Sequence, residues 1–236
     1  MTRDLPLTSV YSIAIDPLDA DRVWIGAGSG QLWRSEDGGM TWEVCGNSTF
    51  QGADRWYRDL IFGPVVDGES PQLFAATNYG LFRSEDGGDT MIQISSGEYM
   101  EIAFHPTDPL ICYTIQLLGE STVFKKSTDG GLSFVAGALG WPSVGLDDGQ
   151  RRCELAVTPA DPDRVVVLAA GSTADGGGLY GMYQSSDAGA TFEFMCCGDG
   201  PGGPWAEYTN PNILGWSGDG TGRSEEHTSE LQSPDH

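Results

Sequence analysis

The sequence predicts an all-β chain: a β-propeller of four-stranded antiparallel blades forming an incomplete, open ring of about four to five blades. Three observations predict it. A short box repeats four times, alternating apolar strands closed by a proline turn precede most of the boxes, and 34 of the 236 residues are glycine, a balance suited to turn-rich β structure. The boxes read SEDGGMTW at 35–42, SEDGGDTM at 84–91, STDGGLSF at 127–134 and SSDAGATF at 185–192. Their aspartates, Asp37, Asp86, Asp129 and Asp187, lie 49, 43 and 58 residues apart, a period that fits one blade.

Each unit parses into four strands. In the first they are expected over 11–15, 22–27, 31–35 and 41–45, with period-two alternation at Ile13 and Ile15 marking the opening strand and Asp16-Pro17 ending it. Leu155 and Val157, stopped by Thr158-Pro159, repeat the pattern in the fourth unit. The box falls at the turn between the third and fourth strands, and its spelling has a mechanism. Ser35, Ser84, Ser127 and Ser185 and the four aspartates can accept hydrogen bonds from turn amides, and Gly39, Gly88, Gly131 and Gly189 permit positive φ. The closing Trp42, Phe134 and Phe192 return to the apolar layer, with Met91 the non-aromatic ending. All of these box residues are therefore read as structural. The blades are expected over about 10–46, 57–95, 100–136 and 152–196, with a fragment at 205–222 opening a fifth.

Four boxes in register over 11–194 resemble the Asp-box, or bacterial neuraminidase repeat, β-propellers. These include sialidases, oligoxyloglucan-hydrolysing glycosidases, sortilin-type receptors and the photosystem II assembly factor propellers. The approach Gly-x-Leu-Trp/Phe-Arg-Ser resembles the glycosidase, sortilin and assembly-factor branch more than true sialidases. The resemblance implies a fold and no particular activity. Neither an Arg-Ile-Pro motif nor a plausible arginine triad is present, so sialidase chemistry is not expected. The glycosidases of this branch carry a catalytic Asp where this chain has Gly28 and Asn78, which puts catalysis in doubt. The resemblance favours an extracytoplasmic location, although residues 1–10 carry no secretion signal.

The C-terminal string RSEEHTSELQS, 223–233, resembles the translation of a common sequencing adapter, so 223–236 is read as a non-native tail and kept out of the fold. The formal net charge of the whole sequence is -22. Without the tail, which carries one arginine, three glutamates and one aspartate, it becomes -19. Such acidity repels phosphate backbones and excludes sequence-independent nucleic-acid binding. No apolar run reaches the length of a membrane span.

On a blade of this topology the second-to-third strand loops and the blade-to-blade connections share one face, which varies in length and composition and is where binding is expected. It carries Trp56, Tyr57, Trp141 and Trp205 beside Asp54 and Glu207 as ligand-binding candidates. Aromatic faces beside carboxylates suit carbohydrate, and a glycosidase needs two carboxyls about 5 to 9.5 Å apart; Asp147, Asp148 and Asp175 are the weak catalytic candidates. The alternative for each ring is a plug between blades. Outside the tail the chain has a single histidine, His105, read as a turn residue, and its five cysteines show no Cys-x-x-Cys spacing. No metal and no cofactor is expected. The leading expectation is a non-catalytic scaffold binding a protein or glycan and joined to further blades of its parent chain. A fragment of an extracellular glycoside hydrolase and an assembly factor of a membrane complex are the alternatives.

Overall fold

In a computed structural model, the described residues are 9–28, 30–47, 50, 55–66, 70–119, 121–141, 152–170 and 179–196. They form sixteen strands and no helix. The first sheet holds β1 (Val10–Asp16), β2 (Asp19–Ala27), β3 (Leu32–Ser35) and β4 (Glu43–Cys45); the second β5 (Tyr57–Phe62), β6 (Leu73–Thr77), β7 (Gly80–Ser84) and β8 (Ile92–Ser96). The third holds β9 (Glu98–Phe104), β10 (Cys112–Leu118), β11 (Ser121–Ser127) and β12 (Val135–Ala136); the fourth β13 (Arg152–Thr158), β14 (Asp161–Ala170), β15 (Leu179–Ser185) and β16 (Glu193–Cys196). Each is an antiparallel meander in sequence order. The second strand of the first sheet starts earlier than expected, because Asp16 Oδ1 accepts the Leu18 N–H and folds the proline turn tightly enough for Asp16 to pair with Asp19.

The first strands of successive sheets lie side by side, β1 by β5, β5 by β9 and β9 by β13, so the four blades fan around a common axis. They form an open arc among the described residues. Apolar layers fill the junctions. Trp24, Leu32 and Cys45 of the first blade meet Tyr57, Leu60, Leu73 and Phe82 of the second; Phe74 and Leu81 meet Tyr99 and Ile102; Tyr113 and Phe124 meet Leu155, Val167 and Tyr183. Burial of this kind, at roughly 25 cal/mol per Å² of apolar surface, is the main force holding blade to blade. The Cys45 and Cys153 thiols are buried in these layers, and Cys112 is buried as well.

The four boxes share one hydrogen-bond circuit. In the first, Ser35 Oγ donates to Asp37 Oδ1 at 2.9 Å and accepts the Gly39 N–H at 2.8 Å, while Asp37 accepts the Thr41 N–H at 2.7 Å and the Thr41 hydroxyl at 2.6 Å. Ser84–Asp86–Gly88, Ser127–Asp129–Gly131 and Ser185–Asp187–Gly189 repeat it. These bonds to the ionised form hold Asp129 and Asp187 down at about 2.

The boxes also join blades. An added Cβ on Gly88 would meet Trp24 Nε1 at 3.0 Å, one on Gly131 would meet Phe74 at 2.7 Å, and one on Gly189 would meet Phe124 at 2.9 Å. The second, third and fourth box turns therefore each sit on an aromatic ring of the blade before. Trp24 Nε1 and Arg34 Nη1 both donate to the Gly87 carbonyl, and Lys126 Nζ donates to the carbonyl of Ala188, the same box position in the next blade. Arg83, in the corresponding place, turns instead to Gln72 and Glu85, and a groove of about 180 Å³ lined by Arg83, Phe74, Phe104, Leu110 and Asp129 lies between the second and third blades.

Candidate functional site

The inner strands carry a polar ladder. Ser12, Asp59, Glu101 and Glu154 each stand five residues before the proline that ends their strand. Ser12 Oγ accepts the Leu60 N–H at 2.8 Å, Asp59 Oδ2 accepts the Ile102 N–H at 3.1 Å, and Glu101 Oε2 accepts the Leu155 N–H. One side chain of each of the first three inner strands thus clasps the backbone of the next. Burial pushes Asp59 up to about 6 against the pull of the Ile102 and Leu60 amides. Burial, followed by the negative charges of Glu154 and Asp59, pushes Glu101 up to about 9. Glu154 pairs with Arg152 at 2.8 Å and stands half-exposed. The sequence reading missed this set; its signal was the constant offset from the turn proline.

The opposite rim is built from the loops. Trp56 is 50% exposed, and its backbone pairs with Asn78: the Trp56 N–H donates to Asn78 Oδ1 at 2.8 Å and the Asn78 N–H to the Trp56 carbonyl at 3.2 Å. Tyr79, next in the two-residue hairpin loop, is equally open. Arg58 lies 5.6 Å from the Trp56 ring and pairs with Glu98 at 2.6 Å. Arg55 is different. It is 7% exposed, its guanidinium lies 4.5 Å from the Phe50 ring, 4.6 Å from Phe82 and 5.9 Å from Tyr79, and its Nε and Nη1 have no hydrogen-bond acceptor. Burial pulls it below its ordinary value.

The other candidate rings divide. Tyr57 is 2% exposed, pressed against the backbone of Gly26, where any Cβ would collide with its ring; it fills the first junction and offers no open face, a correction to its reading as a ligand-stacking ring. Trp141 takes the plug alternative. It packs on Phe124, Tyr183 and Phe192 with ring centroids 5.2 to 5.8 Å away, and its Nε1 donates to the Thr122 carbonyl at 3.0 Å. Asp54, Asp147, Asp148, Asp175, Trp205 and Glu207 lie outside the described residues. His105 is a buried turn residue: its Nδ1 accepts the N–H groups of Thr107 and Asp108, and Nε2 faces Asp163 of the fourth blade at 3.6 Å. Among the described residues no cluster of His, Cys, Asp and Glu is arranged to hold a metal.

No family model matches the sequence, and no curated protein matches it. Solved structures do. An ancestral GH74 enzyme superposes with a TM-score of 0.62 at 18% identity, over 80% of this chain and 24% of that one. The GH74 xyloglucanase from Xanthomonas campestris gives 0.56 at 16% identity, over 78% and 29%. YCF48 from Cyanidioschyzon merolae gives 0.54 at 14% identity, over 82% and 58%. The chain has the fold of a β-propeller. This propeller arc spans about a quarter of the length of the two GH74 chains and rather more than half of YCF48. At these identities the likeness concerns the fold alone.

Proposed function

We propose that the chain is a non-catalytic propeller scaffold that binds a protein or glycan through its loop face and continues into further blades of its parent. The observation that supports it best is the occupation of its carboxylates. The box aspartates are consumed by their own turns, and the two buried inner-strand acids, whose displaced titration would otherwise mark them as an acid–base pair, clasp the amides of Ile102 and Leu155. Arg34 and Arg83 are likewise tied to neighbouring acids. What stays open on the rim is aromatic, Trp56 and Tyr79, with the buried Arg55 beside them.

A second reading, a fragment of an extracellular glycoside hydrolase, draws support from the shared fold with GH74 enzymes and would place its acids at Asp147, Asp148 or Asp175. Docking to a membrane complex, as an assembly factor, remains the third reading, through the resemblance of the repeat alone. Glycan-array binding with no release of reducing sugar supports the scaffold. Release of reducing sugar that disappears on Asp→Asn substitution at 147, 148 or 175 establishes the hydrolase instead, and copurification of a membrane complex the third.

A further inference from the structure

Arg55 is buried at the junction of the first two blades, on the loop side, with two guanidinium nitrogens lacking any acceptor. A guanidinium has five N–H donors in a planar fork and no means of shedding its charge at ordinary pH. The rings of Phe50, Phe82 and Tyr79 compensate the charge through their faces, yet a ring face accepts no strong hydrogen bond, so Nε and Nη1 of Arg55 remain unsatisfied. The other arginines of the first three blades are engaged: Arg22 with Asp16, Arg34 with Glu43 and Asp89, Arg58 with Glu98, and Arg83 with Glu85. Among the described residues no carboxylate pairs with this buried arginine, which makes it a place prepared for a charge from outside.

We propose that Arg55 is an oxyanion site that takes the carboxylate of a single uronic acid within an otherwise neutral glycan. The guanidinium fork matches a carboxylate in bidentate geometry. Beside it stand the open rings of Trp56 and Tyr79, carried on two segments that the two Trp56–Asn78 hydrogen bonds hold together, and flat exposed rings suit the C–H face of a sugar. The net charge of -22 selects against polyanions, which favours one acidic sugar among neutral ones over a run of acids. The inference rests on the loop face being the binding face and names the ligand class it takes.

The test is calorimetric titration of the full chain with a xylo-oligosaccharide bearing one glucuronic acid, with the same compound after reduction of its carboxyl, and with a peptide bearing one glutamate. Saturable binding of the acidic sugar is expected, at least about tenfold weaker in Arg55→Met, as befits losing a charge-assisted hydrogen bond, and weaker again at higher salt. Trp56→Ala, at an exposed position where folding is unaffected, should also weaken it and serves if Arg55→Met does not fold. The inference is overturned if the acidic and reduced sugars bind alike, if neither variant changes the affinity, or if only the peptide binds. Binding of neutral glycans with no preference for the carboxyl removes the uronate site and leaves the scaffold standing. Cleavage of the sugar removes the scaffold reading, while the Arg55→Met titration still decides the site.

Discussion

The box turns and the inner-strand ladder solve one problem with one chemical group and opposite consequences. Both use a carboxylate to accept backbone N–H groups. Asp129 and Asp187 do so at the rim, in water, within a single turn, and titrate low, at about 2. Asp59 and Glu101 do so in the interior, between blades, and titrate high, at about 6 and about 9. A box acid held below its unfolded value adds stability that is present above that value and lost as pH falls toward 2. A ladder acid raised above its unfolded value adds stability that is full in acid and lost as pH rises through about 6 and about 9. The difference shows that solvent exposure, and not the hydrogen bond, sets the sign of the pH response.

Substitutions in both regions test this contrast. The largest effect is expected at the box-to-ring joint. Gly131→Ala places a Cβ 2.7 Å from Phe74 at a φ of +85°. The positive φ and the overpacking together should cost about 3 kcal/mol in urea unfolding. Next is Glu101→Ala, which strands the Leu155 N–H in the interior and should cost about 2 kcal/mol. Glu101→Gln keeps an acceptor for that amide and cannot ionise; its urea midpoint should fall less than that of the parent between pH 5 and pH 9, and an unchanged slope would remove Glu101 as the source. Asp187→Ala opens one solvent-exposed box circuit and should cost about 1 kcal/mol, comparable to losing a capping side chain. Smallest is Ala188→Gly. Ala188 has φ of 53°, where the other three boxes have glycine, so the change should stabilise by about 0.5 kcal/mol after the added chain entropy.

The boxes and the four-strand units were legible because they repeat: Ser, Asp and Gly recur at fixed offsets and each offset corresponds to one bond of the circuit. The ladder was hidden by the same period-two rule that located the strands. A polar residue in an alternating strand reads as solvent-facing, and on an inner propeller strand the side that would face solvent faces the next blade. Asp59 and Glu101 are buried for that reason. Trp56 and Trp141 could not be told apart by type or by loop, since one is open and the other plugs a junction only because Tyr183 and Phe192 wall it in. Arg55 gave no signal at all. A charge beside a tryptophan reads as surface, and its burial depends on Phe50 and Phe82, 5 and 27 positions away, folding over it.

The joint between Gly131 and Phe74 has a consequence for how such arrays grow. Each blade brings the small turn that rests on its predecessor and the ring on which its successor rests, so it carries half of two different joints. A duplicated blade arrives with both halves already matched to any neighbour of the same pattern. Copy number can then change by whole blades without inventing a new contact, and drift is tolerated wherever ring and glycine stay paired across the seam, while the loops on the far rim diverge independently.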